Sequence, residues 1–255
     1  MNIADYIEDI YRRQTEEFLA CDAFQQLESG EAPREAYDQF IGNIFRTHQN
    51  SPQFLAFLFS VAPPSAQDRV AHNLLEEMGI EEEGGESHPQ LLTQLIEGAG
   101  LAHQVSDLEE AARQAMREVI CEPLLFGSLR EVGFAAMAEV FSFEHMLAHT
   151  SSRIATMLRR HRGLDDDALV WFSHHSEVDI VHAQEALLTL AETAVLRLYT
   201  WSLGQVWSNA LCGLDETGRP DGWAGLRAWA TCVAYHESKR ISYWANPANH
   251  QRPSD

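Results

Sequence analysis

The chain has 255 residues, 45% of them hydrophobic and 22% charged, which is enough apolar material for one large domain and too much for a disordered chain. Its 18 Lys and Arg stand against 38 Asp and Glu, and the formal charge of −20 sets up a field that repels phosphate backbones and anionic lipid. Nucleic-acid and membrane-surface binding are thereby disfavoured. With 15 Gly, 9 Pro and few alternating runs between turn signals, a β-sandwich or barrel is disfavoured too, and a mainly helical chain remains.

In chain order, Pro33 opens a predicted helix through Phe40 and Phe45, and Pro63-Pro64 closes the next. Ser65 can cap a helix running to about Met78, and Glu81 to Glu86 reads as an acidic loop. Ser87 and Ser106 are further N-cap candidates. Ser106-Asp-Leu-Glu109 fits a capping box ahead of a helix to about Ile120, which Pro123 follows as a break. A long apolar-periodic stretch runs from Leu124 to about Arg160, Gly163 ends it, and Asp165-Asp166-Asp167 suits the start of the next helix, where negative charge meets the positive end of the macrodipole. Two more helices follow. The expectation is an all-α fold, one bundle of about seven to nine helices over residues 1–245, with a flexible tail over 246–255.

Cys21, Cys121, Cys212 and Cys232 lie far apart with no CxxC, so they are expected to be buried thiols rather than a disulfide framework or a zinc site. The longest nearly unbroken apolar run, Phe54 to Ala62, is far below the roughly 20 residues needed to span a bilayer. The first residues, Met1-Asn2-Ile3-Ala4-Asp5, do not begin a signal sequence, and a cytoplasmic location is expected.

The most informative segment is Trp171-Phe-Ser-His-His175-Ser-Glu-Val-Asp179-Ile-Val-His182-Ala183. Positions 175, 179 and 182 are spaced i, i+4 and i+7, so two imidazoles and a carboxylate leave one helix in the same direction. That is a metal-ligand arrangement suited to iron, manganese or zinc. A second candidate is Glu76-Glu77 at a helix end with His88 opening the next helix, the loop between them folding outward. A third is Glu139 or Glu144, carboxylates within an aromatic and aliphatic run, where an unpaired charge is too costly to bury. Helix phase alone does not choose between these two. Phe45, Phe54, Phe57, Phe134, Phe141, Phe143 and Trp171 are candidate pocket walls, and Arg46, Arg153 and Arg197 are candidate anchors for a substrate carboxylate. Trp201, Trp207, Trp223, Trp229 and Trp244 are candidates for a bundle cover or a dimer contact.

Asn73-Leu-Leu-Glu76-Glu77 with His88, then Phe141-Ser-Phe-Glu144, then His175, Asp179, His182 and Ala183, taken in this order, resemble the haem-oxygenase-like diiron oxidases, relatives of the TenA and PqqC proteins. Leu158-Arg-Arg-His-Arg-Gly163-Leu164 looks like that family's turn before its last metal helix, and the resemblance spans about Ala36 to Ala186. It implies that Glu77, His88, Glu144, His175, Asp179 and His182 bind two Fe2+ ions, with manganese as an alternative metal. The chemistry is then carried by Glu77, Glu144, His175 and Asp179. It further implies O2 as co-substrate and a small organic substrate; a homodimer is expected as well. Relatives oxygenate amine nitrogens, cleave carbon–carbon bonds or decarboxylate.

Two departures stand out. The loop before His88 is longer than in the relatives, which keeps Glu81 as an alternative to Glu77. The subgroup that makes p-aminobenzoate from its own tyrosine would have that tyrosine near Phe24 and a lysine near Ile154, so that activity is not expected here. Rival readings are a TenA-like hydrolase using Cys121 beside Glu122, and a metal-free helical scaffold for a basic partner.

Overall fold

The structure is a computed structural model and describes residues 3–80, 85–117, 121 and 129–177. Among these, every regular element is helical: α1 (Ile3–Ala20), α2 (Asp22–Ser29), α3 (Arg34–His48), α4 (Ser51–Val61), α5 (Pro64–Glu77), α6 (His88–Gly98), α7 (Val105–Met116), α8 (Leu129–Met157) and α9 (Val170–Glu177). The all-helical expectation holds for these residues. Asp179, His182, Arg197, Cys212, Cys232, the tryptophans from Trp201 onward and the segment 246–255 lie outside the described residues, as do Glu81 and Pro123. No helix among the described residues is long and apolar enough to cross a membrane.

The 29-residue α8 is the spine, packed against α1, α4 and α9, while α3 packs on α6 and α7, and α6 on α9. Phe18 and Phe24 from the first helices, Phe40, Ile44 and Phe45 from α3, Leu92 and Leu95 from α6, and Trp171 and Phe172 from α9 share one buried cluster. Fully burying each such side chain contributes about 1.5–3 kcal/mol, which is why these faces set the packing. After Met157 the helix widens into a π turn, Leu158–Arg162, and Gly163 ends it with φ +76°. Arg162 is buried there. Its Nε donates to Asp38 Oδ1 at 2.5 Å and an Nη donates to the Ala99 carbonyl, so one side chain ties the end of α8 to α3 and α6.

Several helix starts differ from the sequence reading. Ser65 is not a cap, because α5 already begins at Pro64 and the Pro63 carbonyl accepts from Ala66 N at 2.8 Å. Ser106 lies inside α7: a 3₁₀ turn over Ala102–Gln104 runs straight into that helix, so backbone carbonyls serve its first turn. Asp165 and Asp166 precede a 3₁₀ turn, Asp167–Leu169, whose Ala168 N donates to Asp165 Oδ1 at 3.0 Å before α9 begins. The thiols were expected to be buried, but Cys21 is half-buried at the bend between α1 and α2, and Cys121 is exposed.

The connection between α5 and α6 positions the site. Gly79 takes φ +66°, and a Cβ there would lie 2.6 Å from the Glu86 backbone carbon and 2.8 Å from Ser87 N. The turn leaving α5 and the strand of chain re-entering α6 therefore touch backbone to backbone, which only glycine permits. Gly100 also has positive φ, at +75°, but a Cβ there would meet nothing within 4 Å. Gly100→Ala should thus lose only the backbone strain, about 1–2 kcal/mol, whereas Gly79→Ala should lose more than that, because 86–87 must also move. Urea unfolding of the two variants checks this, and equal losses would contradict the close approach.

Candidate metal centre

Glu77 is the last residue of α5 and His88 the first of α6, so the Gly79 turn returns the chain to where it left. On the α6 side Ser87 precedes the helix, its backbone N donating to Gln90 Oε1 at 2.8 Å, as the capping-box signature requires. Ser87 is therefore the N-cap read from the sequence. His175 arrives from α9, one turn beyond Trp171, and Glu144 from the middle of α8. All four are nearly sealed from solvent, at 5%, 4%, 2% and 7% exposure for Glu77, His88, His175 and Glu144.

Glu77, His88 and His175 each offer one donor atom, and the three atoms lie within 4.8 Å of one another. His88 Nδ1 is 2.8 Å from Glu77 Oε1, yet neither ring nitrogen of His88 makes an aligned hydrogen bond. A buried imidazole left this way has the misaligned Glu77 oxygen beside Nδ1 and no hydrogen bond at Nε2, which is uncommon in a finished core. A cation among the three atoms removes that deficit, and one carboxylate with two imidazoles is the donor set of iron and manganese sites. Glu144 lines the same cavity as Glu77 and His175, and its charge acts on His88.

Neighbouring groups fix which atoms face inward. His175 Nδ1 donates to the Trp171 carbonyl at 2.6 Å, which leaves Nε2 as the free donor atom of that ring. Ser51 Oγ donates to Glu77 Oε2, so the other oxygen faces His88. Trp171 lies against His175 with ring centroids 4.0 Å apart, and His48 packs edge-on to both Phe143 and Trp171. His174 sits edge-on to His88 at 4.9 Å, its Nε2 3.2 Å from Glu76 Oε1.

The electrostatics follow from this crowding. Burial works to raise the Glu77 carboxyl, but the His88 charge beside it and the Ser51 hydroxyl outweigh that and hold it below the usual value. Burial likewise works to lower His88, and the Glu77 carboxylate outweighs it and raises the ring. His175 has no such partner. Burial, with His88 adding, pushes it well below the ordinary histidine value, so it is neutral and able to donate a lone pair.

Three of the six sequence-derived candidates thus meet at one point, Glu77, His88 and His175, with Glu144 on the shared cavity wall. Asp179 and His182 lie outside the described residues, and the side chain of Glu139 is likewise outside them. Of the expected aromatic wall, Phe54 and Phe143 line the cavity, while Phe45 and Phe141 are buried away from it and the Phe134 side chain is not described. Trp171 reaches the site as a platform for His175 instead. Phe24 and Ile154 are fully buried and do not line the cavity. Cys121 is exposed and does not line it either, which leaves the hydrolase reading without its nucleophile in the pocket.

Sequence reasoning missed Ser51, His48 and His174. The His174-His175 pair was a usable signal for the last, since adjacent imidazoles on a helix straddle one face. Ser51 stands 26 positions from Glu77 and carried no local sign of that contact.

The family model for iron-containing redox enzymes matches residues 38–215, most of the chain and all of the residues gathered here. No curated protein matches it. With an all-helical fold, a buried carboxylate and histidine cluster and this match in agreement, the chain belongs to the iron-containing redox enzymes of haem-oxygenase-like fold.

Proposed function

We propose that the chain is a non-haem diiron oxidase or oxygenase that uses O2 to oxidise a small organic substrate, by amine N-oxygenation, carbon–carbon cleavage or decarboxylation. Glu77, His88, Glu144, His175, Asp179 and His182 hold the two irons, with manganese as an alternative metal. The observation that carries this reading is the buried Glu77, His88 and His175 cluster, with His88 unsatisfied by hydrogen bonds, in a chain of an iron-containing redox family. The spacing of His175, Asp179 and His182, with Glu144 on the same cavity, supports a second ion beside the first.

Iron bound here supplies the electrons for reducing O2. The protein's own residues do the rest. Trp171 holds His175 in the tautomer that presents Nε2. Ser51 anchors one oxygen of Glu77 and leaves the other for the metal, and the Glu76 and His174 pair braces the rim beside His88. Phe54, Leu55, Phe143 and Leu147 line the cavity with apolar surface, which lowers the local dielectric beside the charged groups.

Anaerobic Fe(II) titration of the full chain is expected to reach about two ions per chain, the count of a bundle diiron site, and mixing with O2 should then consume O2 and change the visible absorption. His182→Ala should bind one iron fewer and lose the O2 reaction with its helical circular dichroism unchanged. Two irons bound normally in that variant, or no iron in the parent, would overturn the assignment.

A pH dependence follows from the opposed shifts. In the metal-free chain the stability contributed by His88 is complete below its unfolded value of 6.5 and is lost as pH rises through its raised folded value. The Glu77 contribution is present above 4.5 and is lost as pH falls through its lowered folded value. Metal needs His88 neutral, so binding displaces its proton. Fe(II) affinity, measured by competition against a chelator, should weaken about tenfold per pH unit below the folded value of His88. His175, already neutral, adds nothing to that slope. A flat profile between pH 6 and 8 would contradict the Glu77 and His88 coupling.

A further inference from the structure

Glu77, His88 and His175 are only 5%, 4% and 2% exposed, so an ion arriving from water has to pass other side chains first. The cavity lies against Glu77 and His175, but His88 does not line it. The neighbour of His88 on its other side is His174, whose ring stands edge-on to it with centroids 4.9 Å apart, and 6.0 Å from His175.

Glu76 and His174 each precede a buried donor by one residue, and the roughly 100° between neighbours on a helix turns them outward. Their side chains are 13% and 33% exposed, against 6% for the side chains of both Glu77 and His88. Glu76 Oε1 lies 3.2 Å from His174 Nε2, a contact that joins α5 to α9. Metal bonds of about 2.0–2.2 Å to oxygen and nitrogen, at tetrahedral or octahedral angles, hold two donor atoms roughly 3–3.5 Å apart. The pair already has the separation of two ligands on one ion. His72, one turn before Glu76 on α5, is exposed on the same helix face and adds an imidazole further out.

We propose that Glu76 and His174 form an entry site that captures Fe(II) from solution and passes it inward to His88. The proposal rests on the reading of Glu77, His88 and His175 as the metal centre. A formal charge of −20 concentrates cations at the surface, and a carboxylate beside an imidazole gives them a defined place to stop. Stripping all water from a divalent ion at once is too costly beside a buried core, whereas exchanging one ligand at a time leaves it solvated by the protein throughout. His88 is suited to receive the ion, because neither of its ring nitrogens has an aligned hydrogen bond to give up. Two donors at the rim hold less firmly than three inside, so transfer runs inward.

The test mixes the full chain with Fe(II) anaerobically at one pH and follows tryptophan emission in a stopped flow, since Trp171 lies against His175. Release is timed by mixing the loaded chain with excess chelator. An entry site acts on the path and not on the end state. Glu76→Gln and His174→Ala should therefore slow uptake and release by the same factor, about tenfold, with affinity and ion count as in the parent. Raising the ionic strength from about 0.01 M to 1 M, which shortens the screening length from about 30 Å to 3 Å, should slow uptake in the parent more than in the variants. A pair that only braces the rim gives a different pattern, weaker affinity through faster release with uptake unchanged. That pattern, or uptake at the parent rate in both variants, would overturn the proposal while leaving the metal centre in place. If His174→Ala does not fold, the isosteric Glu76→Gln decides. A parent chain that takes up no Fe(II) overturns the metal centre itself, and the entry site with it.

Discussion

Everything around the centre answers to one constraint, the burial of the Glu77 carboxylate 2.8 Å from the His88 ring. An isolated carboxylate at that depth costs several kcal/mol, and the side chain is tolerable only where opposite charge and hydrogen-bond donors surround it. Ser51 from α4 donates to one oxygen and His88 from α6 faces the other. Neither residue is local to Glu77 along a helix. The geometry depends on the Gly79 turn, which lets the chain leave α5 and re-enter α6 with its backbones in contact.

The aromatic surroundings then serve as a frame. Trp171 packs against His175 with ring centroids 4.0 Å apart and planes tilted by 44° and, through its own carbonyl, holds the Nδ1 proton, so a single residue sets both the orientation and the tautomer of that imidazole. The same tryptophan packs edge-on against His48, which in turn meets Phe143 of α8. Since Trp171 and Phe172 are also in the main core cluster, the position of α9 is fixed by hydrophobic packing before any polar contact is counted. The rigidity needed to hold three donor atoms within 4.8 Å is thereby a by-product of core packing.

Legibility in the sequence tracked how local each cause was. The helix starting at His88 was readable because Ser87 caps it within three residues, and the turn after α8 because Gly163 alone suits its positive φ. Ser65 and Ser106 misled because Pro63 and the Ala102–Gln104 turn already satisfy the same backbone donors, a competition that residue type does not reveal. Glu77, His88 and His175 were legible as chemistry because carboxylates and imidazoles at helix ends and on apolar stripes are costly without a purpose. What held them was not: Ser51 with Glu77, His48 with Phe143 and Glu76 with His174 are tertiary contacts across 26, 95 and 98 positions, set by how helices stack. Cys121 reads as a buried thiol by residue type and is nevertheless exposed.

The helices divide the work of building the cavity. The donor atoms come from the end of α5, the start of α6, α9 and one position on α8. The apolar wall comes mainly from α4, α7 and the other turns of α8, and the cation from the last turn of α3. Substitutions on the wall therefore alter the shape and charge presented to a ligand without displacing a donor atom, because the donors are fixed by separate contacts to Ser51, Trp171 and the Gly79 turn. The donor cluster and the apolar wall thus face one cavity, with most of the donors and most of the wall supplied by different helices.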